Sequence, residues 1–475
     1  MTAEAPTNNC IIDIASDNAT ITEILTLPFG LGGASSCSPT GNNAVDRLKQ
    51  TMESVDLSFN VPNHPKLSFF GHYSIESNAV SGKYVVDLPD VRTLLGVQVG
   101  TTISLMVGVI FAAIIYRTFL NNNNDAEKRK TSSPSSPLRK GLIGSLLLLA
   151  SILAPYALID AMGAESTMIR FTIASFYFLY IFRTLEAIFG FIPTGAKSSW
   201  GIYCTYFALP FDMIFDENNL PVMATKRDIL NGQINVVKTV SCIIMLCSFL
   251  SPYDYKPFGE TNAGEFNERI VLRDYLDARH LGNGFAIAVL FQQCLALGFA
   301  VTGSAVQIML GYKVKQSMRN PMLEATSPSD FWGRRWNVLV HAVMKRGVYK
   351  PVRKYSSSPM AASLAVFVAS GLFHEWLVHA VLMYHQPPHS AASQDVILLG
   401  SNTAFFVWNF VVIVLEKILA GSKGIKSLGK MIPSMFIPFL IIMGALPMAH
   451  WFSNPYLRGN YFSDYEKCFP LIRKV

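Results

Sequence analysis

The sequence predicts an all-α, polytopic transmembrane protein with about eight membrane-spanning helices. Hydrophobic residues make up 51% of the 475 positions and charged residues only 15%, whereas soluble globular proteins carry about 25% charged residues. The mean hydropathy of the chain is +0.32. The same composition disfavours an intrinsically disordered chain, a nucleic-acid-binding protein and a disulfide-rich secreted domain.

The spanning helices are predicted from apolar segments that reach the length of one crossing, about 20 residues. Seven such segments lie at 93–120, 141–159, 171–192, 234–251, 359–384, 396–419 and 431–452. The segment 281–311 is longer than one untilted crossing needs, so it predicts either a tilted helix or a broken pair. The segment 200–215 is short and contains Pro210, which is typical of a re-entrant or interfacial piece.

The distribution of basic residues predicts how these helices are oriented. The formal net charge is +7, and basic residues are concentrated in the connecting segments 121–140, 312–358 and 420–430. We expect all three segments to face the cytoplasm. They do so together if 281–311 crosses once and 200–215 does not cross.

This orientation divides the chain into two parts. The polar residues 1–92 form a lumenal arm that carries a glycosylation sequon at Asn18, and residues 93–475 form the transmembrane domain. Within that domain, 121–140 is predicted to be a low-complexity cytoplasmic loop and 312–358 a basic cytoplasmic segment.

Ionisable residues inside a span are costly and mark candidate functional positions. Arg183 and Glu186 lie three residues apart in the third span, so a helix places them on one face and predicts a structural ion pair. His374 and Glu375 lie deep in the span 359–384. Ser370 precedes His374 by about one helical turn and leaves space beside the imidazole for a neighbouring helix or a substrate.

A zinc site of the type found on metalloprotease helices is rejected for this span. His374 and His379 are five residues apart, and five residues turn a helix by about 140° relative to the first side chain. The two imidazoles therefore cannot chelate one ion from a single face as an H-E-x-x-H helix does. We expect no metal here.

The basic segment contains a second candidate region, which begins at Ser327. Ser327 and Pro328 are typical of a helix start, and the pattern predicts one amphipathic helix that runs to about Arg346 and stops at Gly347. Such a helix lies at the membrane surface. It is either a passive surface helix or the entry site for an amphipathic, phosphate-bearing substrate, whose phosphates Arg and Lys side chains bind.

These two regions carry a resemblance to a known family. The wax synthase branch of the membrane-bound O-acyltransferase family is similar to this chain over roughly 280–450. The resemblance rests on these strings: Asp330-Phe331-Trp332-Gly333-Arg334-Arg335-Trp336-Asn337, Val348-Tyr349-x-Pro351 and Ser370-Gly371-Leu372-Phe373-His374-Glu375.

The resemblance implies an endoplasmic-reticulum enzyme, with a helical funnel through the membrane, that transfers an acyl group from acyl-CoA to a lipid hydroxyl. By motif, His374 corresponds to the catalytic histidine and Asn337 to its polar partner. The substrate-binding positions that we assign in the motif are Phe331, Trp332, Arg334, Arg335 and Trp336. Acyl-CoA is then a co-substrate, and neither a cofactor nor a covalent acyl-enzyme is required.

The mechanism and the acceptor leave alternatives open. A base must take the hydroxyl proton, a donor must stabilise the oxyanion, and water must be kept away. Asn337 either polarises the thioester carbonyl or orients the imidazole of His374. A long-chain fatty alcohol is the expected acceptor, with a sterol or diacylglycerol as alternatives. A proton-coupled transporter is disfavoured because the sequence shows no inverted repeat, and a non-catalytic scaffold because both polar motif residues are present.

Overall fold

The computed structural model describes residues 9–10, 84–120, 137–259, 272–384, 399–420 and 432–474. The sequon at Asn18, most of the predicted arm 1–92 and most of the loops 121–140 and 420–430 lie outside these residues. Within them the chain is mainly helical. The helices are α1 Val91–Ile115, α2 Pro137–Ala161, α3 Thr167–Phe189, α4 Trp200–Ala208, α5 Lys226–Leu250, α6 Ala278–Met309, α7 Val338–Met344, α8 Pro359–Val378, α9 Ser401–Leu419, α10 Ile437–Ala445, α11 Ala449–Arg458 and α12 Tyr461–Glu466.

Eight helical segments of the described residues are long and apolar enough to cross a membrane, which confirms the predicted number. They are α1, α2, α3, α5, α6, α8, α9 and the pair α10–α11. The segment predicted as a tilted helix or a broken pair is the single helix α6. The segment 200–215 contributes only the nine-residue helix α4, which is too short to cross.

Shorter turns extend and connect these helices. The π-helical turns Tyr116–Leu120 and His379–Met383 continue α1 and α8, and the 3₁₀ turns Ser251–Tyr253 and Leu446–Met448 follow α5 and α10. The remaining short elements are Gly195–Lys197, Leu272–Tyr275, Pro321–Glu324, Pro328–Asp330, Phe331–Arg335, Lys345–Tyr349, Lys350–Tyr355 and Ser434–Phe436.

A small antiparallel sheet, which was not predicted, joins the two ends of the chain. Its strands are β1 Asn9–Cys10, β2 Tyr84–Asp87 and β3 Leu471–Lys474, with β2 in the centre. Strand β2 precedes the first candidate span and β3 follows the last one. Because these strands pair, the two ends of the helical domain lie on the same face, as an even number of crossings requires.

The basic segment 312–358 lies on the opposite face. A backbone bridge joins Met223, just before α5, to Tyr312, just after α6. At the end of α9, the Glu416 carboxylate accepts hydrogen bonds from the Ser329 backbone N–H and hydroxyl, at 2.8 and 2.7 Å. The ends of α6 and α9 therefore meet this segment on one face, as predicted. That this face is cytoplasmic stays a prediction.

The predicted ion pair between Arg183 and Glu186 is wrong, because each side chain has other partners. The Arg183 guanidinium donates to the carbonyl oxygens of Phe207, Leu209 and Phe211 at 2.8–2.9 Å. Those carbonyls lie at and just after the end of α4, where a helix leaves its last carbonyls without intrahelical partners.

Glu186 is fully buried and belongs to a network that ties α3 to the basic segment. Its carboxylate accepts a hydrogen bond from the Tyr206 hydroxyl and pairs with Arg346 Nε at 2.9 Å. Arg346 also reaches Asp212, at 3.4 Å.

The predicted continuous helix from Pro328 to about Arg346 is also wrong. The chain turns as a π-helix over Phe331–Arg335, becomes extended at Trp336, and adopts a left-handed conformation at Asn337, with φ of 45°. Asparagine tolerates this conformation better than most residues. The interrupted backbone is bonded to the preceding segment, because the Val338 N–H donates to the Ser317 carbonyl at 2.8 Å.

The helical path also passes the stop predicted at Gly347 and ends at Tyr355. Gly347 serves a close approach to α3, because a Cβ atom there would lie 2.9 Å from the Phe182 carbonyl oxygen.

Candidate active site

His374 lies in α8, and its imidazole is enclosed by aromatic rings from three helices. The ring of Phe406 in α9 stacks on it, with centroids 4.9 Å apart and planes 16° from parallel. Phe373 and Phe452 meet it at steeper angles, with centroids 5.1 Å away in each case. Rings in this arrangement surround the imidazole with apolar surface and hold its plane.

The polar atoms of His374 are unequally placed. Its Nδ1 is buried and has no hydrogen-bond partner among the described residues, while the residue as a whole keeps part of its surface open. His379, the second histidine of the rejected zinc pattern, is exposed and its Nδ1 lies 3.0 Å from the Tyr156 hydroxyl. The two histidines therefore occupy different environments on α8 and its extension.

Glu375 contacts the beginning of α9 rather than His374. Its Oε1 accepts a hydrogen bond from the Thr403 backbone N–H at 2.9 Å. The N-cap of α9 is Gly400, which offers no side chain, so the carboxylate from α8 satisfies one of the free N–H groups of that terminus. Gly371 permits this contact, because a Cβ atom there would lie 2.5 Å from Thr403 Cα.

The aromatic residues of the motif converge on the same region. Phe331 stacks on Trp336 with centroids 5.5 Å apart, and Trp332 contacts both rings. Trp332 also contacts Phe406 at 5.9 Å. Phe406 therefore lies against both Trp332 and the imidazole of His374, and it connects the two separated parts of the sequence motif.

The two motif arginines are paired with acidic side chains. Asp330 accepts from Arg334 Nε and from Arg335 Nε, at 2.8 Å in each case. Arg335 also binds Glu324 at 2.7 Å. The side chain of Arg334 remains 73% exposed and can meet a phosphate, whereas Arg335 is mostly enclosed by its acidic partners.

Asn337 has a clear local role in the backbone. Its Oδ1 accepts a hydrogen bond from the Val340 N–H at 3.2 Å and so caps α7. This bond identifies the oxygen of the amide and leaves the NH₂ group as the end that is free to donate. Within the described part of the chain, no hydrogen bond joins Asn337 to His374.

Sequence reasoning missed the residues of α9 that support the site. Asn402, Asn409 and Glu416 are spaced by seven residues, so they form a polar stripe along one face of the helix. Asn409 accepts a hydrogen bond from the Trp332 indole N–H at 3.1 Å, and Glu416 binds Ser329 as described above. The regular spacing of these polar residues within an otherwise apolar span is the sequence feature that could have identified them.

Comparison with known proteins identifies the segment that contains these residues. Residues 315–408 match the model of the membrane bound O-acyl transferase family. This range includes the motif strings, all the predicted site residues and the beginning of α9.

Several curated proteins are similar to the chain. Probable long-chain-alcohol O-fatty-acyltransferase 9 of Arabidopsis thaliana is 36% identical over 113 residues, which are 22% of this chain and 29% of that protein. Acyl-CoA–sterol O-acyltransferase 1 of the same plant is 36% identical over 97 residues, 19% of this chain and 27% of that protein.

A third relative, the long-chain-alcohol O-fatty-acyltransferase of Simmondsia chinensis, is 36% identical over 102 residues, 19% of this chain and 29% of that protein. In each case the chain spans less than a third of the relative's length. The chain therefore carries a segment that matches the membrane-bound O-acyltransferase family, and the predicted resemblance to the wax synthase branch of that family is confirmed.

Proposed function

We propose that the protein is an acyl-CoA-dependent O-acyltransferase that esterifies a long-chain alcohol, and that it acts in the endoplasmic-reticulum membrane. The observation that carries the proposal is the position of His374. Its imidazole is stacked on Phe406, which also contacts Trp332 of the motif. A base in an apolar, ring-lined site meets two needs of ester formation, proton removal and protection from water.

The reaction that we propose is a direct transfer. The imidazole of His374 takes the proton from the alcohol hydroxyl while the oxygen attacks the thioester carbonyl. The tetrahedral intermediate then expels the CoA thiolate, and the imidazolium of His374 gives the proton to this thiolate. The products are one ester and one free CoA thiol, and the reaction needs no co-substrate other than acyl-CoA.

For Asn337 we favour the role of oxyanion donor. Its oxygen is engaged at the start of α7, so its NH₂ group is the end that can meet the thioester carbonyl. Arg334, together with the basic residues of 312–358, supplies positive charge for the phosphates of CoA. Phe331, Trp332 and Trp336 supply an aromatic surface for the acyl chain.

A sterol is the second candidate acceptor. It is favoured by one specific observation, the 36% identity to the acyl-CoA–sterol O-acyltransferase. The choice of acceptor is best tested directly, because the two acceptor classes differ in shape and share the same reacting hydroxyl.

The test uses full-length protein expressed in a host that lacks neutral-lipid synthesis. Microsomes receive labelled acyl-CoA with hexadecanol, a sterol or diacylglycerol, and the ester is identified. We expect hexadecanol ester, and a rate about 10² to 10⁴ times lower for His374→Ala.

The matched control is His379→Ala, because His379 lies outside the ring-lined site and should leave the rate within about twofold of the original. No ester from any acceptor, or equal rates for the His374 and His379 variants, would contradict the proposal.

A further inference from the structure

The polar stripe on α9 ends in a group of side chains that the mechanism does not use. Asn402 is completely buried, and neither its Oδ1 nor its Nδ2 has a hydrogen-bond partner among the described residues. The hydroxyls of Ser401 and Thr403 are also buried and unpartnered. Because buried polar atoms in folded proteins are almost always bonded, this group is suited to a ligand that bonds to them.

Glu375, which contacts Thr403, adds a fifth unpartnered atom beside this group. One of its carboxylate oxygens caps the Thr403 N–H, and the other, Oε2, is buried without a partner in the described part of the chain. Side chains in the first turn of a helix point toward its N-terminus, so Ser401 and Asn402 are aimed at this end of α9. We call Glu375, Ser401, Asn402 and Thr403 the polar pocket.

The chemistry of the polar pocket selects its ligand. The carboxylate of Glu375 repels an anion, and the other groups of the polar pocket, one amide and two hydroxyls, are neutral. The amide of Asn402 both donates and accepts, and the hydroxyls do the same. A hydroxyl is a neutral group that donates one hydrogen bond and accepts two, so it matches the donors and acceptors of the polar pocket.

The polar pocket lies beside the candidate catalytic residue. Asn402 and Phe406 are four residues apart, so they are neighbours on one face of α9, and Phe406 stacks on His374. We propose that the polar pocket binds the hydroxyl of the acceptor alcohol and determines the affinity for the acceptor. This inference rests on the proposed function, because the alcohol that it places in the polar pocket is the acceptor of that reaction.

The experiment measures acceptor binding and turnover separately. Radiolabelled hexadecanol is bound to the purified full-length protein in detergent, and KM values are measured for hexadecanol and for acyl-CoA. The variants are Asn402→Leu and, because it changes the packing least, Ser401→Ala. The matched control is Asn235→Leu, which makes the same replacement at an exposed position of another span.

For Asn402→Leu we expect hexadecanol binding to weaken about tenfold or more, with a similar rise in the KM for hexadecanol. The KM for acyl-CoA should stay within about twofold of the original value. Ser401→Ala should weaken binding in the same direction by about threefold, and Asn235→Leu should have no effect.

Several results would overturn the inference. They are unchanged hexadecanol binding in both pocket variants, an equal rise of both KM values, or an effect confined to acyl-CoA hydrolysis, which would assign the polar pocket to water. A different result would contradict the proposed function, namely an original protein that binds hexadecanol but forms no ester. Hexadecanol binding that weakens in the pocket variants supports the inference even then.

Discussion

Asn402 and Asn409 are the same residue on the same face of α9, yet their surroundings are opposite. Asn409 accepts from the Trp332 indole and donates to the Phe405 carbonyl, at 3.1 and 2.8 Å. Asn402 is at least as deeply buried and has no hydrogen-bond partner among the described residues. Two helical turns separate a fully bonded amide from an unpartnered one.

The difference separates a scaffold from a site. The end of α9 near Glu416 is bonded to the motif segment, and the acidic and basic groups of that segment pair with each other, as Asp330 does with Arg334 and Arg335. The other end combines unpartnered oxygens with the imidazole of His374. Pairing fixes the geometry of the first region, while the second retains hydrogen-bonding capacity that a substrate can use.

The largest effect is expected where a paired buried group is made unpartnered. Arg346→Met removes the cation that pairs with the fully buried carboxylate of Glu186. Breaking such a pair from one side leaves an uncompensated charge and should lower the free energy of unfolding by about 3–5 kcal/mol. Denaturant unfolding in detergent, followed by tryptophan fluorescence, measures the change.

The control for this prediction removes both charges. The double variant Arg346→Met, Glu186→Leu should recover most of the lost stability, because the Glu186 carboxylate is gone and Asp212 keeps its ion pair with Lys315 at 3.6 Å. A single Arg346→Met variant as stable as the original protein would contradict the division into a paired scaffold and an unpartnered site.

The comparison between the two asparagines gives the next prediction. Asn409→Leu leaves the Trp332 indole N–H without its acceptor and should lower the free energy of unfolding by about 1–3 kcal/mol. Asn402→Leu removes two atoms that have no described partner, so stability should be unchanged or higher. Thermal unfolding of the two purified variants, side by side, measures this difference in sign.

Hexadecanol sharpens the same measurement. A ligand that binds the folded state raises its stability, so hexadecanol should stabilise the original protein more than it stabilises Asn402→Leu. Equal destabilisation by the two leucine substitutions would mean that Asn402 is bonded within the scaffold as Asn409 is.

The sequence predicts the crossings well because hydrophobic length alone decides them. Eight candidate spans, a continuous α6 and a non-crossing α4 all follow from apolar length and the position of charges. The two separated strings of the family motif likewise come together in the structure, because Phe406 contacts both Trp332 and His374. The catalytic role of His374 stays a prediction.

The failures have a common physical cause, which is that tertiary partners compete with local pattern. The amphipathic pattern after Ser327 predicts one helix, but the backbone is interrupted at Asn337 because Ser317 and Val340 supply other hydrogen bonds. Arg183 and Glu186 have the spacing of a pair, but the carbonyls after α4 and the Arg346 guanidinium satisfy them instead. Helical spacing shows which residues share a face and not what lies opposite that face.

The smallest expected effect concerns the paired carboxylate of the motif, and it depends on pH. Burial raises the pKa of Asp330, but hydrogen bonds from Arg335 and Thr326 outweigh burial and hold that pKa below its ordinary value of 3.8. A carboxyl group whose pKa is lower in the folded state stabilises the fold at pH values above its unfolded-state pKa. This stabilisation is lost as the pH falls through its folded-state pKa. Asp330→Asn should therefore cost about 1–2 kcal/mol at pH 7.

That cost should begin to shrink as the pH falls below about 4, because the carboxylate of the unfolded chain is protonated there first, and it should be smallest once the folded-state carboxylate is protonated as well. Thermal unfolding midpoints of both proteins between neutral and acidic pH measure the difference. Glu217→Gln is the matched control, because Glu217 is exposed on the same face and its replacement should change the free energy of unfolding by less than about 0.5 kcal/mol. A gap between Asp330→Asn and the original protein that stays constant down to acidic pH would show that the carboxylate supports the motif through its shape and not through its charge.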